Sequence, residues 1–186
     1  MEDDDIIDLF WERSETAIEE TSKKYGNYCR SIIRNILKNN QDVEECLNDT
    51  YLKLWAAIPP GRPNILLAYV GKIARNQALD RYKENTRKKR GGGEIPLLLS
   101  ELEECIPASD NIENEYMEGV TVDLINEFLY ASEKLERMIF VRRYWYADSI
   151  KEIAKRYKMS TSKIKSILFR SRKKLKEYLE GEGIFL

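Results

Sequence analysis

The sequence predicts an all-α protein of two small helical domains joined by an acidic linker, on three observations. Apolar residues recur at three- and four-residue steps through most of the 186-residue chain, the spacing that keeps one face of a helix dry. No segment alternates apolar and polar residues for long enough to build a sheet. A glycine triplet, Gly91-Gly92-Gly93, precedes an acid-rich stretch carrying Pro96 and Pro107 and divides the pattern in two. The expected boundaries are 1–90 for the first domain, 91–119 for the linker and 120–186 for the second.

Ile6 to Lys38 reads as two helices. Ile6, Ile7, Leu9, Phe10 and Trp11 open the first, and Ile32, Ile33, Ile36 and Leu37 close the second. Val43, Cys46, Leu47, Thr50, Tyr51, Leu54 and Ile58 form the apolar stripe of a third helix, with Asp42 expected as its cap. Pro59-Pro60-Gly61-Arg62-Pro63-Asn64 is a hard break. A long helix follows from about Ile65 to Lys88. Its core face is expected to hold Leu66, Val70, Ile73, Ala74 and Gln77, with Lys72, Arg75, Leu79, Lys83 and Thr86 on the far side. In the linker, Leu97-Leu98-Leu99 and Leu102 stand out. A flexible linker rarely gathers four leucines, so this segment packs onto a domain or onto a partner. The helical pattern resumes near 121–131 and 132–145. A short helix spans 150–157, Lys158-Met159-Ser160 makes a turn with Ser160 a good N-cap, and a longer helix runs from Thr161 to about Leu179.

Hydrophobic residues make up 42% and charged residues 34% of the chain, a soluble globular composition. No apolar run reaches the roughly 18 residues a membrane span needs. The start, Met1-Glu2-Asp3-Asp4-Asp5, is acidic where a secretory signal is basic and then apolar. The expectation is a cytoplasmic protein with no direct membrane insertion. Cys29, Cys46 and Cys105 are odd in number and far apart, which is no disulfide framework. Histidine is absent. Without His or a close Cys pair, no metal site is expected. The chain has no P-loop, GxGxxG or GxSxG motif. No cofactor and no catalytic residue are expected, and an enzyme reading finds no support.

The net charge of −1 hides an asymmetry. Residues 65–90 carry eight Lys/Arg against two acids, 91–136 one Lys against twelve acids, and 149–179 eleven Lys/Arg against two acids. Two basic blocks split by an acidic one point to two nucleic-acid contacts on one chain.

Short helix, three-residue turn, longer basic helix is the layout of a helix-turn-helix. Ala154 is the small residue that lets its two helices approach. At about 100° per residue, Ile164, Ile167, Leu168, Ser171, Leu175 and Tyr178 share the core face. Ser162, Lys165, Ser166, Phe169, Lys173 and Lys176 lie opposite. Residues early in the second helix reach base edges in the major groove, where Lys donates to guanine and Ser or Thr to several bases. Arg170, Arg172 and Lys173 lie further along and suit phosphates, which position the protein without reading sequence. Phe169 on the polar face is expected either to touch a thymine methyl or to pack on the preceding helix.

In the first domain, Leu52 and Trp55 form a second apolar spot on the third helix, rimmed by Glu45, Asn48 and Asp49. An acid-rimmed apolar spot suggests a protein partner, unless Trp55 simply packs on a neighbouring helix. Basic residues of the fourth helix stand beside Tyr69 and Tyr82. Rings and cations together suit single-stranded DNA, because bases stack while cations hold the backbone.

Three motifs then carry a resemblance. Asp42 to Trp55 resembles region 2.2 of the sigma-70 family, Tyr69 to Arg81 resembles regions 2.3 and 2.4, and Ile150 to Leu179 resembles region 4.2. The short chain, with neither region 1.1 nor a region 3 domain, resembles the extracytoplasmic-function (ECF) sigma factors. The resemblance implies a subunit that binds core RNA polymerase, recognises −35 and −10 promoter elements and promotes DNA opening. It implies contact of the β′ clamp helices with Glu45, Asn48, Asp49, Leu52, Lys53 and Trp55. It implies −10 DNA contacts by Arg62, Asn64, Lys72, Arg75, Asn76 and Lys83, with a flipped base held in the loop Pro59 to Asn64. It implies −35 contacts by Thr161, Ser162, Lys163, Lys165, Ser166, Phe169, Arg170, Arg172 and Lys173, a contact between the second domain and the β flap, and an anti-sigma partner. Many members read Gly-Thr-Val-Lys-Ser-Arg-Leu-Ser-Arg-Ala-Arg along the recognition helix. Here Ile167 replaces an Arg and Phe169 a small polar residue, which leaves the −35 preference open. The competing reading is a stand-alone helix-turn-helix repressor or activator, which needs a dimer surface and usually a ligand domain; the two spaced basic blocks and the Leu52/Trp55 face favour the sigma reading.

Overall fold

The computed structural model describes residues 1–87, 94–106 and 115–184. The chain divides into two compact units, Met1–Gly91 and Gly92–Leu186. The described residues of both are helical, with no strand among them. The expected break at Gly91-Gly92-Gly93 and the proline Pro107 lie outside the described residues.

The first unit opens with α1 (Asp3–Trp11). Three aspartates in its first turn suit the positive end of the helix dipole, and Ile6, Ile7 and Phe10 are buried. α2 (Thr16–Ile36) contributes Cys29, Ile32, Ile33 and Ile36 to the core. α3 (Asn40–Ala57) starts earlier than its apolar stripe suggests. Its cap is Asn39, whose side chain accepts from the Gln41 amide at 3.1 Å. Asp42, the expected cap, sits inside the helix and turns to Arg81 at 3.5 Å and Asn85 at 3.1 Å. α4 (Leu66–Arg87) packs against both α2 and α3, so its buried surface is wider than one stripe. Leu66, Val70 and Ala74 are buried as expected, but so is Leu79, which the periodicity placed on the far side. Ile73 and Gln77 are only half-buried.

Gly71 marks the tightest approach in this unit. A Cβ there would lie 2.4 Å from the Tyr28 hydroxyl and 2.8 Å from its ring. Glycine to alanine inside a helix ordinarily gains about 0.5–1 kcal/mol. Overpacking costs about 1–3 kcal/mol, and here the obstacle is a ring that α2 holds. Gly71→Ala is therefore expected to destabilise the unit by about 1 kcal/mol net, read as a lower urea midpoint with unchanged slope. A rise in the midpoint would show that Tyr28 swings aside freely.

The second unit holds α5 (Glu94–Glu103), α6 (Glu115–Ala131), α7 (Lys134–Tyr144), α8 (Ile150–Tyr157) and α9 (Thr161–Gly181). α9 is its hub and packs against α6, α7 and α8. Ile139, Ile153, Ile164, Leu168 and Leu175 form the centre of the core. The stretch expected as an acidic linker thus contains α5, which packs against α7. Pro96 is tolerated because it falls in the first turn, where the missing N–H had no helical partner to lose. Of the four leucines, Leu98 is buried with Ile95 and Cys105, while Leu97 stays exposed. The cluster packs onto a domain, the first of the two alternatives left open by the sequence.

The cysteines are free and buried. Burial pushes the Cys29 and Cys46 thiols up to about 12 and Cys105 up to about 11. They behave as small core residues, not as nucleophiles.

Candidate nucleic-acid interface

In the second unit α8 and α9 are each capped at their start by a side chain. Ser149 accepts from the Glu152 amide at 3.2 Å while the Glu152 carboxylate accepts from the Ser149 amide at 2.8 Å, a capping box. Lys158 closes α8 in the left-handed conformation, with φ of 52°. Ser160 caps α9 by accepting from the Lys163 amide at 3.2 Å. Ala154 is buried where the two helices meet.

This geometry leaves Thr161, Ser162, Lys163, Lys165, Ser166, Phe169, Arg170 and Lys173 exposed along α9, opposite its buried face. Phe169 is 61% exposed, so most of its ring stands open. Ser166 donates to the Ser162 carbonyl at 3.0 Å, which ties down its hydroxyl but leaves its lone pairs outward. Lys173 makes only a long surface contact to Glu177 at 3.7 Å.

Arg172 departs from its expected role. Its side chain is only 14% exposed. One Nη1 donates to the Tyr144 hydroxyl at 2.7 Å and lies 3.7 Å from Glu101. A guanidinium committed to interior partners is poorly placed to meet a phosphate. Glu101 on α5 is the centre of this cluster. Its Oε2 accepts from Tyr144 at 3.0 Å and from Arg143 Nε at 3.4 Å. Arg143 is completely buried, and its Nη1 also donates to the Asp148 carbonyl at 3.2 Å, just before the Ser149 cap of α8. Desolvation, then the adjacent Glu101 charge, raise the Tyr144 hydroxyl above the ordinary tyrosine range. The cluster ties α5, α7, α9 and the start of α8 together. Sequence spacing alone gives no sign of it, because Glu101 and Arg172 stand far in the chain from Arg143 and Tyr144.

In the first unit, Asn48, Asp49, Leu52 and Lys53 are exposed on one side of α3, with Leu52 64% exposed. Two members of the expected patch are engaged elsewhere. Glu45 pairs with Arg81. Trp55 is half-buried, with its ring centroid 6.2 Å from Phe10 and the Arg13 guanidinium 5.4 Å above it. Trp55 therefore packs on α1, and Leu52 is the apolar centre of the exposed face.

Lys72, Asn76 and Lys83 are exposed along α4, and Asn64 is exposed just before it. Arg62 is half-exposed and pairs with Asp8 at 2.8 Å. Arg75 does not stand on the open face as expected. It is half-buried, its Nε makes no hydrogen bond, and desolvation lowers its pKa. Among the described residues no group of His, Cys, Asp and Glu could hold a metal ion.

Residues 22–88 match the family model described as Sigma-70 region 2. Residues 133–177 match the model described as Sigma-70, region 4. No curated protein matches the chain.

Proposed function

Since the chain belongs to the sigma-70 family and is an RNA polymerase sigma factor for promoter recognition, we propose that it is of the ECF type, with its sites on the faces just described. It binds core RNA polymerase and promoter DNA, and it is not an enzyme. The observation that carries the ECF reading is what lies between the two matches. The described residues from 89 to 132 are α5 and α6, and both pack within the second unit, α5 on α7 and α6 on α9. Among the described residues no separate domain stands between region 2 and region 4. The domain assignment follows: region 2 within 1–90, and region 4 in the C-terminal unit with α5 attached.

On this reading the exposed face of α3 around Asn48, Asp49, Leu52 and Lys53 meets the β′ clamp helices. The Pro59–Asn64 loop with Lys72, Asn76 and Lys83 meets the opened −10 element. The α9 face from Thr161 to Lys173, without Arg172, enters the −35 major groove. The region 4 unit also touches the β flap, and an anti-sigma factor in the cytoplasm controls the protein. No described helix is long and apolar enough to cross a membrane. A regulator working without polymerase would have no use for the region 2 unit.

The decisive experiment is transcription from promoter fragments by core polymerase with and without the protein. A second test addresses the α3 face. Leu52→Ala and Asp49→Lys are each expected to weaken core binding about tenfold, about 1.4 kcal/mol, which places them among the minority of interface residues whose loss costs more than about 1 kcal/mol. Leu52 is the better probe than Trp55, because its truncation disturbs no internal packing. Wild-type affinity in both variants, with unchanged circular dichroism, would place the polymerase contact elsewhere.

A further inference from the structure

α1 lies outside the matched region 2 residues, which begin at 22, yet it grips both ends of the loop that precedes α4. α1 ends in a Schellman arrangement. The Ser14 amide donates to the Leu9 carbonyl at 3.0 Å and the Arg13 amide to the Phe10 carbonyl at 3.1 Å. The left-handed position of this motif ordinarily belongs to glycine. Here it holds Arg13, with φ of 55°. An L residue kept in that conformation calls for a reason in its surroundings, and the Arg13 side chain supplies one. Its Nη1 donates to the Trp55 carbonyl at 2.7 Å and reaches the Ile58 carbonyl at 3.5 Å, while the guanidinium lies over the Trp55 ring. Those are terminal carbonyls of α3, which lack helical partners and favour a cation. Arg13 therefore caps α3 at the point where the chain enters Pro59. At the other side of the loop, Asp8 of the same helix pairs with Arg62. Within the loop, Gly61 donates to the Ala57 carbonyl at 3.0 Å, where a Cβ would come within 2.9 Å of that oxygen.

We propose that α1 is the positioning element of the promoter-reading loop, with Arg13 fixing where Pro59–Asn64 leaves α3 and Asp8 holding Arg62. Arg13 touches no DNA in this scheme. It sets −10 preference through the loop. The inference rests on the reading of Pro59–Asn64 as a −10 contact.

The test is transcription by holoenzyme from a promoter library randomised over the −10 element with the −35 element fixed. Arg13→Gly is the informative variant, because glycine accepts the left-handed backbone and removes only the side chain. It is expected to cut discrimination at one −10 position about tenfold, with core affinity and −35 preference unchanged. Arg13→Lys keeps a cation near the carbonyls and is expected to restore part of that discrimination, a rescue that a merely structural role would not produce. Arg62→Ala with Asn64→Ala serves as the control for the loop itself. If that control changes the −10 preference while Arg13→Gly leaves it as in wild type, the positioning role is overturned and the loop reading stands. If neither changes it, the loop does not read the −10 element and both fall.

Discussion

Replacing Glu101 by leucine is expected to loosen the C-terminal unit by about 3–5 kcal/mol, the cost of breaking a buried ion pair by removing one member. Arg143 is fully buried and Glu101 supplies the carboxylate beside it. The change also strips Tyr144 of its acceptor and Arg172 of its nearest carboxylate. Hydrogen exchange in α7 and α9 is expected to speed up by roughly two to four orders of magnitude, since every 1.4 kcal/mol is tenfold. A buried pair as a whole is often worth little against apolar residues of similar volume. The double variant Glu101→Leu with Arg143→Met is therefore expected to be more stable than Glu101→Leu alone. Strictly additive losses would mean that the two side chains are not coupled. The consequence for promoter binding is indirect. Arg143 is bonded to the Asp148 carbonyl beside the α8 cap, so a loosened cluster also loosens the helix that packs against α9.

How much of this was legible in the sequence differs from element to element. The helix-turn-helix is local. Its signals, Ser149 with Glu152 and Ser160 three residues before Lys163, act within one turn of chain, so its bounds read directly. α3 was legible from its stripe but not at its start, because Asn39 and Asp42 are both good caps and only the tertiary pairing of Asp42 with Arg81 decides between them. Leu79 was misplaced because α4 packs on two helices at once, and a one-face periodicity has no term for a second neighbour. α5 hid behind its acidity. Leu98 gave the clue, but the interaction that commits Glu101 is with residues more than forty positions away. Trp55 was half legible: an aromatic rimmed by acids reads as a partner face until α1 is seen to cover it. Arg13 gave no signal at all, since nothing in a sequence distinguishes an arginine used as a helix C-cap from one that is solvated.

The correction at Arg172 sharpens what the recognition helix is expected to do. Lys165 lies in the first two turns of α9 and is exposed, which on the proposed docking puts it within reach of base edges. Lys165→Ala is expected to cost about 1–3 kcal/mol at one −35 position and to relax preference there. Arg170 is exposed further along, where on the proposed docking side chains meet phosphates. Arg170→Ala is expected to weaken all sequences alike and to reduce the salt slope of binding by about one unit. Arg172→Ala follows neither pattern. Its guanidinium is held by Tyr144 and Glu101, so its loss is expected to lower the stability of the C-terminal unit while leaving −35 preference and salt slope as they were. The measurement is transcription from a randomised −35 library at several salt concentrations, paired with urea unfolding of each variant. The three residues occupy a single helix, so the outcome separates groove, phosphate and interior by side-chain direction alone. An Arg172→Ala variant of wild-type stability with a reduced salt slope would turn that arginine back toward the DNA. It would then take the Glu101 cluster apart as the anchor of the unit.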